Sequence, residues 1–141
     1  MAQRPAAAKE RPRYRYQYAA KFVCTANIPG TSQTTGSVLP GVYQTAVNIH
    51  TPNDGKVRYR VKIAVAEPSG FVEDGLGPDC ATRWDCERVR IAFGPFIHGF
   101  EGFLVVEASH SLDVIAVYTA GPTGGQVASI DVAPVRERQL G

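Results

Sequence analysis

The residues able to do chemistry are few and scattered: three cysteines, Cys24, Cys80 and Cys86, and three histidines, His50, His98 and His110. Nucleophilic catalysis needs a Cys or Ser held beside a base that a third group orients. Cys86 with any one of the histidines supplies the residue types, but no G-x-S-x-G elbow or cysteine-enzyme signature surrounds them. Asp85 precedes Cys86, yet neighbours on a strand point to opposite faces. The reading is a non-enzyme with no catalytic residue.

Metal binding is the next chemistry to weigh. Zinc sites present close pairs such as C-x-x-C, and none occurs. Asn48 and His50 share a strand face, and the turn after them brings Asp54 near, so His50 and Asn48 are the candidate ligands. The spacing fits no standard metal loop. The expectation is therefore no metal and no cofactor, with His50 a strand-end residue bonded to backbone. His98 and His110 flank a buried segment and are expected in loops. GPTGG (121–125) leads into a strand, so its glycines serve a turn and not a phosphate cradle.

RPRYRYQYAAKFVCT (11–25) interleaves Arg13, Arg15, Gln17 and Lys21 with Tyr14, Tyr16, Tyr18, Phe22 and Cys24. Arginines hold phosphates and tyrosines stack on bases, which is one reading. Period-two alternation, however, sends the tyrosines to one side of a strand and the arginines to the other. A stacking platform needs both around one groove. The simpler account buries the tyrosine row and leaves the arginines wet.

Those residues need elements to hold them. Residues 1–12 read as a flexible basic leader. Residues 13–25, 43–50, 56–66, 103–107, 110–120 and 126–135 read as strands. Residues 80–93 fit a short strand or a helical turn. NDG (53–55) suggests a turn joining the second and third strands as a hairpin. Val57, Tyr59, Val61, Ile63 and Val65 alternate with Lys56, Arg58, Arg60 and Lys62, the clearest strand. The 110–120 segment is apolar on both faces, which suits a central strand. The expected fold is all-β, an antiparallel β-sandwich of six to eight strands, immunoglobulin-like or jelly-roll-like, forming one domain over 13–141.

Composition is that of a globular chain of 141 residues, 44% hydrophobic and 20% charged. No apolar run approaches the roughly 20 residues of a membrane helix, and no secretory signal opens the chain. The default expectation is a cytoplasmic protein without a membrane partner. Charge is uneven: residues 1–24 hold six basic residues and one acid, a net of +5, and the rest nets −3, giving the overall +2. A basic arm on a mildly acidic body can dock a polyanion or a neighbouring copy. The function read first is a structural protein that self-associates into an oligomer or filament-like assembly, with Arg13, Tyr14, Arg15, Tyr16 and Tyr18 as the contact. A ligand- or metal-binding module around His50 and Asn48 is the second reading. A nucleic-acid binder using Arg11, Arg13, Arg15 and the face at Arg58, Arg60 and Lys62 is the third.

Y-x-x-K-F-V-C (Tyr18 to Cys24), P-G-x-Y-x-T-x-x-N-I-H-x-P (Pro40 to Pro52), Asp85-Cys86 and L-D-V-x-A-V-Y-T-A (Leu112 to Ala120) resemble a group of small bacterial proteins of unknown function. The resemblance spans about residues 18 to 135. It implies a bacterial origin and a compact β domain, carries no activity, and implies that Cys24 and Cys86 matter together, with Cys80 and the leader outside the shared pattern. If Cys24 and Cys86 point inward from opposing sheets, they form a possible disulfide or pack as small hydrophobes. A disulfide argues for an oxidising location, whereas cytoplasmic thiols usually stay reduced.

Overall fold

Val57, Tyr59, Val61 and Ile63 are buried, and Arg58, Arg60 and Lys62 between them are half-exposed. The same alternation builds most of the molecule, because a pleated strand turns successive side chains to opposite faces. A computed structural model describes residues 13–94, 96 and 99–141. The elements are β1 (Tyr16–Asn27), β2 (Gly41–His50), β3 (Val57–Ala64), β4 (Val72–Leu76), β5 (Ala81–Asp85), α1 (Cys86–Phe93), β6 (Phe100–Ala108), β7 (Asp113–Gly121), β8 (Ser129–Pro134) and β9 (Glu137–Gln139). The fold is all-β and every strand pair is antiparallel.

The hydrogen-bonded order is β4-β3-β6-β1-β2-β7-β8, with β5 also on β2 and β9 also on β1. The expected antiparallel all-β fold is present, as a single sheet of nine strands and not as a clear sandwich. One continuous sheet is present because β1 is long enough to serve both halves. Its first nine residues pair with β6, from Tyr16 opposite Ala108 to Cys24 opposite Phe100. Its last three pair with β2, from Thr25 opposite Tyr43 to Asn27 opposite Gly41. The halves share one core: Tyr18, Phe22, Tyr59, Val61, Leu104 and Val106 from the first meet Val47, Ile49, Trp84, Val114 and Ala116 from the second. The Trp84 indole N–H reaches the Tyr59 hydroxyl at 3.4 Å across that core.

The expected hairpin between the second and third strands is corrected. β2 pairs with β1, β5 and β7, and β3 with β4 and β6. Residues 51–56 instead carry the chain from one half to the other. Buried Thr51 anchors this crossing by donating its N–H to Cys80 O (3.0 Å) and accepting from the Asn53 N–H (3.2 Å).

The ambiguous stretch at 80–93 is both a strand and a helix. Asp85 caps α1 by accepting the Arg88 N–H at 2.9 Å, and Gly94 ends it at φ 117°, a conformation that favours glycine. Val89 buries itself, Phe93 packs on Trp84, and the Arg88 guanidinium lies 3.9 Å over the Trp84 ring. A helix of eight residues is too short to be stable alone, so these contacts hold it. β7 lies between β2 and the edge strand β8, so it is paired on both sides, but one of its two expected buried faces, with Asp113 and Ile115, is exposed. Among the described residues no helix is long and apolar enough to cross a membrane.

Candidate interaction surfaces

The opening strand is built into its own sheet. Arg15 donates its N–H to Ala108 O (2.9 Å) and accepts from the Leu140 N–H (2.7 Å). Residues 16–18 have β6 on one side and β9 on the other. Tyr18 is buried, and its hydroxyl accepts from the Leu112 N–H (2.7 Å) and donates to Glu137 (2.6 Å). Burial, then the bond to Glu137, push this phenol up to about 12. Tyr16 packs partly buried against the core.

Tyr14 leaves the tyrosine row. Its ring stacks on the Arg60 guanidinium at 4.4 Å, and its hydroxyl donates to Glu73 at 3.1 Å, on the outer face of β3 and β4. The strand starts at Tyr16, so the alternation stops applying before it. Of the five expected contact residues, only Arg13 and Arg15 are exposed. Arg11 and the rest of the leader lie outside the described residues, as does His98.

The basic row on β3 is largely committed within the molecule. Arg60 reaches Glu107 through Nε (2.9 Å) and a terminal nitrogen (2.5 Å). Its guanidinium lies between the rings of Phe71 (3.8 Å) and Tyr14 (4.4 Å). Glu107 is buried and also accepts from the Gln17 amide at 2.8 Å. Lys62 sits over Phe71, and Lys21 pairs with Glu101 at 3.1 Å. Sequence reading missed Glu107, because a glutamate in FLVVEAS carries no sign of the arginine opposite it on the neighbouring strand.

His50 does not bond to backbone as expected. Its Nδ1 lies 2.7 Å from Asp113 and its Nε2 2.7 Å from Asp79. Both nitrogens need a proton to make these bonds, so the two carboxylates, Asp113 first, raise its pKa. Asp79 holds φ 54°, in the left-handed region that Asp tolerates better than most residues. Asn48 shares the outer face of β2, opposite Arg83 on β5 and Ile115 on β7. Asp54 is not the partner; Asp79 and Asp113 are. Among the described residues no three His, Cys, Asp or Glu side chains are grouped to hold a metal ion.

Cys24 and Cys86 are joined in a disulfide with Cα atoms 5.7 Å apart, and Cys80 is an exposed free thiol. The disulfide ties the bend of β1 to the first residue of α1. An open cleft of about 380 Å³ lies beside it, bordered by Gln33, Tyr43, Gln44 and Arg90.

Among the described residues β8 is an edge, bonded to β7 alone. Its Ile130 and Val132 are 64% and 59% exposed. Val132 lies opposite Val117, Ile130 opposite Thr119 and Pro134 opposite Ile115, so one aliphatic row runs over the outer face of β7 and β8. Val135 donates its N–H to Val114 O, which sets the phase of the ladder. Residues 129, 131 and 133 turn their N–H and C=O groups toward β7, and Ile130 and Val132 turn theirs outward. The edge strand β4 carries Glu73 and Asp74, and β9 carries Glu137 and Arg138, charges that blunt an edge. β8 has a single charge, Asp131.

No protein-family model matches the chain, and no curated protein matches it. The crystal structure of Thermotoga maritima 1070 superposes on it with a TM-score of 0.56 at 7% identity, covering 87% of this chain and 92% of that one. This likeness extends to the fold.

Proposed function

We propose that this protein is non-enzymatic and works by associating with copies of itself, with β8 of one chain adding antiparallel to β8 of another. The observation that carries this reading is the unpaired aliphatic edge at Ile130 and Val132. Outward N–H and C=O groups call for another strand, and the identical edge supplies both in matching phase. With Val132 facing its counterpart across a two-fold axis, Asp131 faces Ala133 and avoids a like-charge pair. Pro134 has no N–H and ends the ladder. The aliphatic row then continues over both copies, and the interface is isologous. We place the association surface at β8, one end of the strand order, in preference to the N-terminal strand in its middle, whose Tyr18 is buried and whose residues 16–18 already have a strand on each side.

Light scattering on a sizing column tests this. The full chain is expected at a multiple of 15.2 kDa. Val132→Lys should give the single-chain mass with an unchanged far-ultraviolet spectrum, and removal of residues 1–12 should leave the association intact. A full chain that is monomeric at high concentration, or a Val132→Lys variant as large as the parent, overturns the reading. Dissociation on removing residues 1–12 returns the contact to the leader.

A further inference from the structure

Where the chain enters β1, it runs beside the β6–β7 turn, and an open cleft of about 440 Å³ lies between them. Arg13 and Arg15 border it from one side, and Ser109, His110 and Ser111 from the other, with Asn53 beneath. No carboxylate lines it, and neither arginine has an acidic partner among the described residues. Arg15 is fixed by its own main chain, bonded to Ala108 and Leu140, so its side chain starts from a settled point.

The hydrogen bonds around the cleft leave donors facing it. Ser109 Oγ accepts the Arg58 N–H at 3.2 Å and lies 2.9 Å from His110 Nδ1, so the two side chains are held by each other. The Asn53 amide nitrogen is spent on Thr51 Oγ1 (3.0 Å) and Ser111 O (3.2 Å). The Ser111 hydroxyl donates to the Glu137 carboxylate, which Tyr18 also holds. Two guanidinium groups remain to meet a ligand, with the His110 ring on the wall across from them.

We propose that this cleft binds the phosphate of a small phosphomonoester. A tetrahedral dianion offers acceptors in several directions, and the planar fork of an arginine grips two of them at once. The volume exceeds what a phosphate alone needs, leaving room for an attached group of sugar size. Arg13 and Arg15 bring two positive charges to a chain whose residues 25–141 net −3, which favours an anion at this cleft. The proposal uses no part of β8 and stands apart from self-association.

Calorimetric titration of the full chain with inorganic phosphate and with glucose 6-phosphate tests it. Both should bind, the ester more tightly, with acetate failing to compete. Arg15→Gln and Arg13→Gln should each weaken binding about ten-fold, the scale of one lost charge-assisted contact. Lys62→Gln, on the outer face of β3, should leave it unchanged. Both arginine residues are exposed and the Arg15 main-chain bonds remain, so urea midpoints should match the parent. Absence of binding, or equal weakening by Lys62→Gln, overturns the proposal. So does a single-stranded oligonucleotide that binds far more tightly than either probe with a steep salt dependence, since the ligand would then be a nucleic-acid backbone.

Discussion

The Thr45 hydroxyl accepts the Val23 N–H and donates to the Val23 C=O, each at 2.9 Å. Val23 sits where β1 is about to leave β6 and join β2, so a regular ladder has no strand to offer its free edge. A buried side chain on β2 stands in for that strand. Thr45→Val keeps the shape and leaves two backbone groups unpaired, at a cost of about 2 kcal/mol. Thr45→Ser keeps both bonds and should lose less. Chemical denaturation of the two variants beside the parent measures the difference. Equal stabilities would remove the hydroxyl from the account of the bend.

Glu107 and Arg60 make a second pair to test. Glu107 is 5% exposed and satisfied by Arg60 and Gln17. Glu107→Ala strips the guanidinium of its anion while Phe71 and Tyr14 still enclose it. Breaking such a pair from one side costs roughly 3 kcal/mol. The double variant Glu107→Leu with Arg60→Met should recover much of that loss, because no uncompensated charge remains. Urea midpoints of the single and double variants decide it, and a double variant as weak as the single one would refute it.

His50 ties the end of β2 to the start of β7 and to the loop holding Asp79. Its pKa in the folded state lies above the ordinary 6.5, so the charged ring is favoured on folding. The stabilisation is fully present below about pH 6.5 and is lost as pH rises through the folded value. Above that, one ring nitrogen loses its proton and faces a carboxylate with a lone pair. The gap in urea midpoint between the parent and His50→Gln should therefore shrink as pH climbs from about 6 to about 9. A gap independent of pH would mean that the ring contributes shape and not charge. Both carboxylates are largely exposed, so salt should narrow the gap as well.

What the sequence made legible was local. Alternation at Val57 to Ile63 identifies a half-buried strand because that signal lies within one segment, whereas the apolar run at 110–120 marks a strand without showing that it lies beside the edge with one face exposed. Pairing was less legible. The NDG turn suggested a hairpin, yet residues 51–56 cross between the two halves. Which strand meets which depends on how β1 divides itself between β6 and β2, and no short pattern encodes that. The chemistry followed the same rule. His50 was visible as a ligand-type residue, but Asp113 meets it only through the β2–β7 register and Asp79 only through a loop. Arg13 and Arg15 were visible as a basic pair, but Ser109 and His110 join them only because β6 pairs with β1.

The disulfide gives the last prediction. Closing a loop between residues 62 positions apart restricts the unfolded chain, and chain-entropy arguments put the stabilisation at about 4 kcal/mol. Reduction should therefore lower the thermal midpoint and loosen α1 first, since that helix is short and Cys86 is its first residue. Alkylation of the native, unreduced protein should modify Cys80 alone, adding one label by mass. After reduction and unfolding, three labels should appear. The Cys24→Ser, Cys86→Ser double variant should match the reduced parent in stability, while Cys80→Ser should match the oxidised one. Three labels on the unreduced native chain would show Cys24 and Cys86 to be thiols that pack as small hydrophobes, and the bend of β1 would then rest on Thr45 and the core.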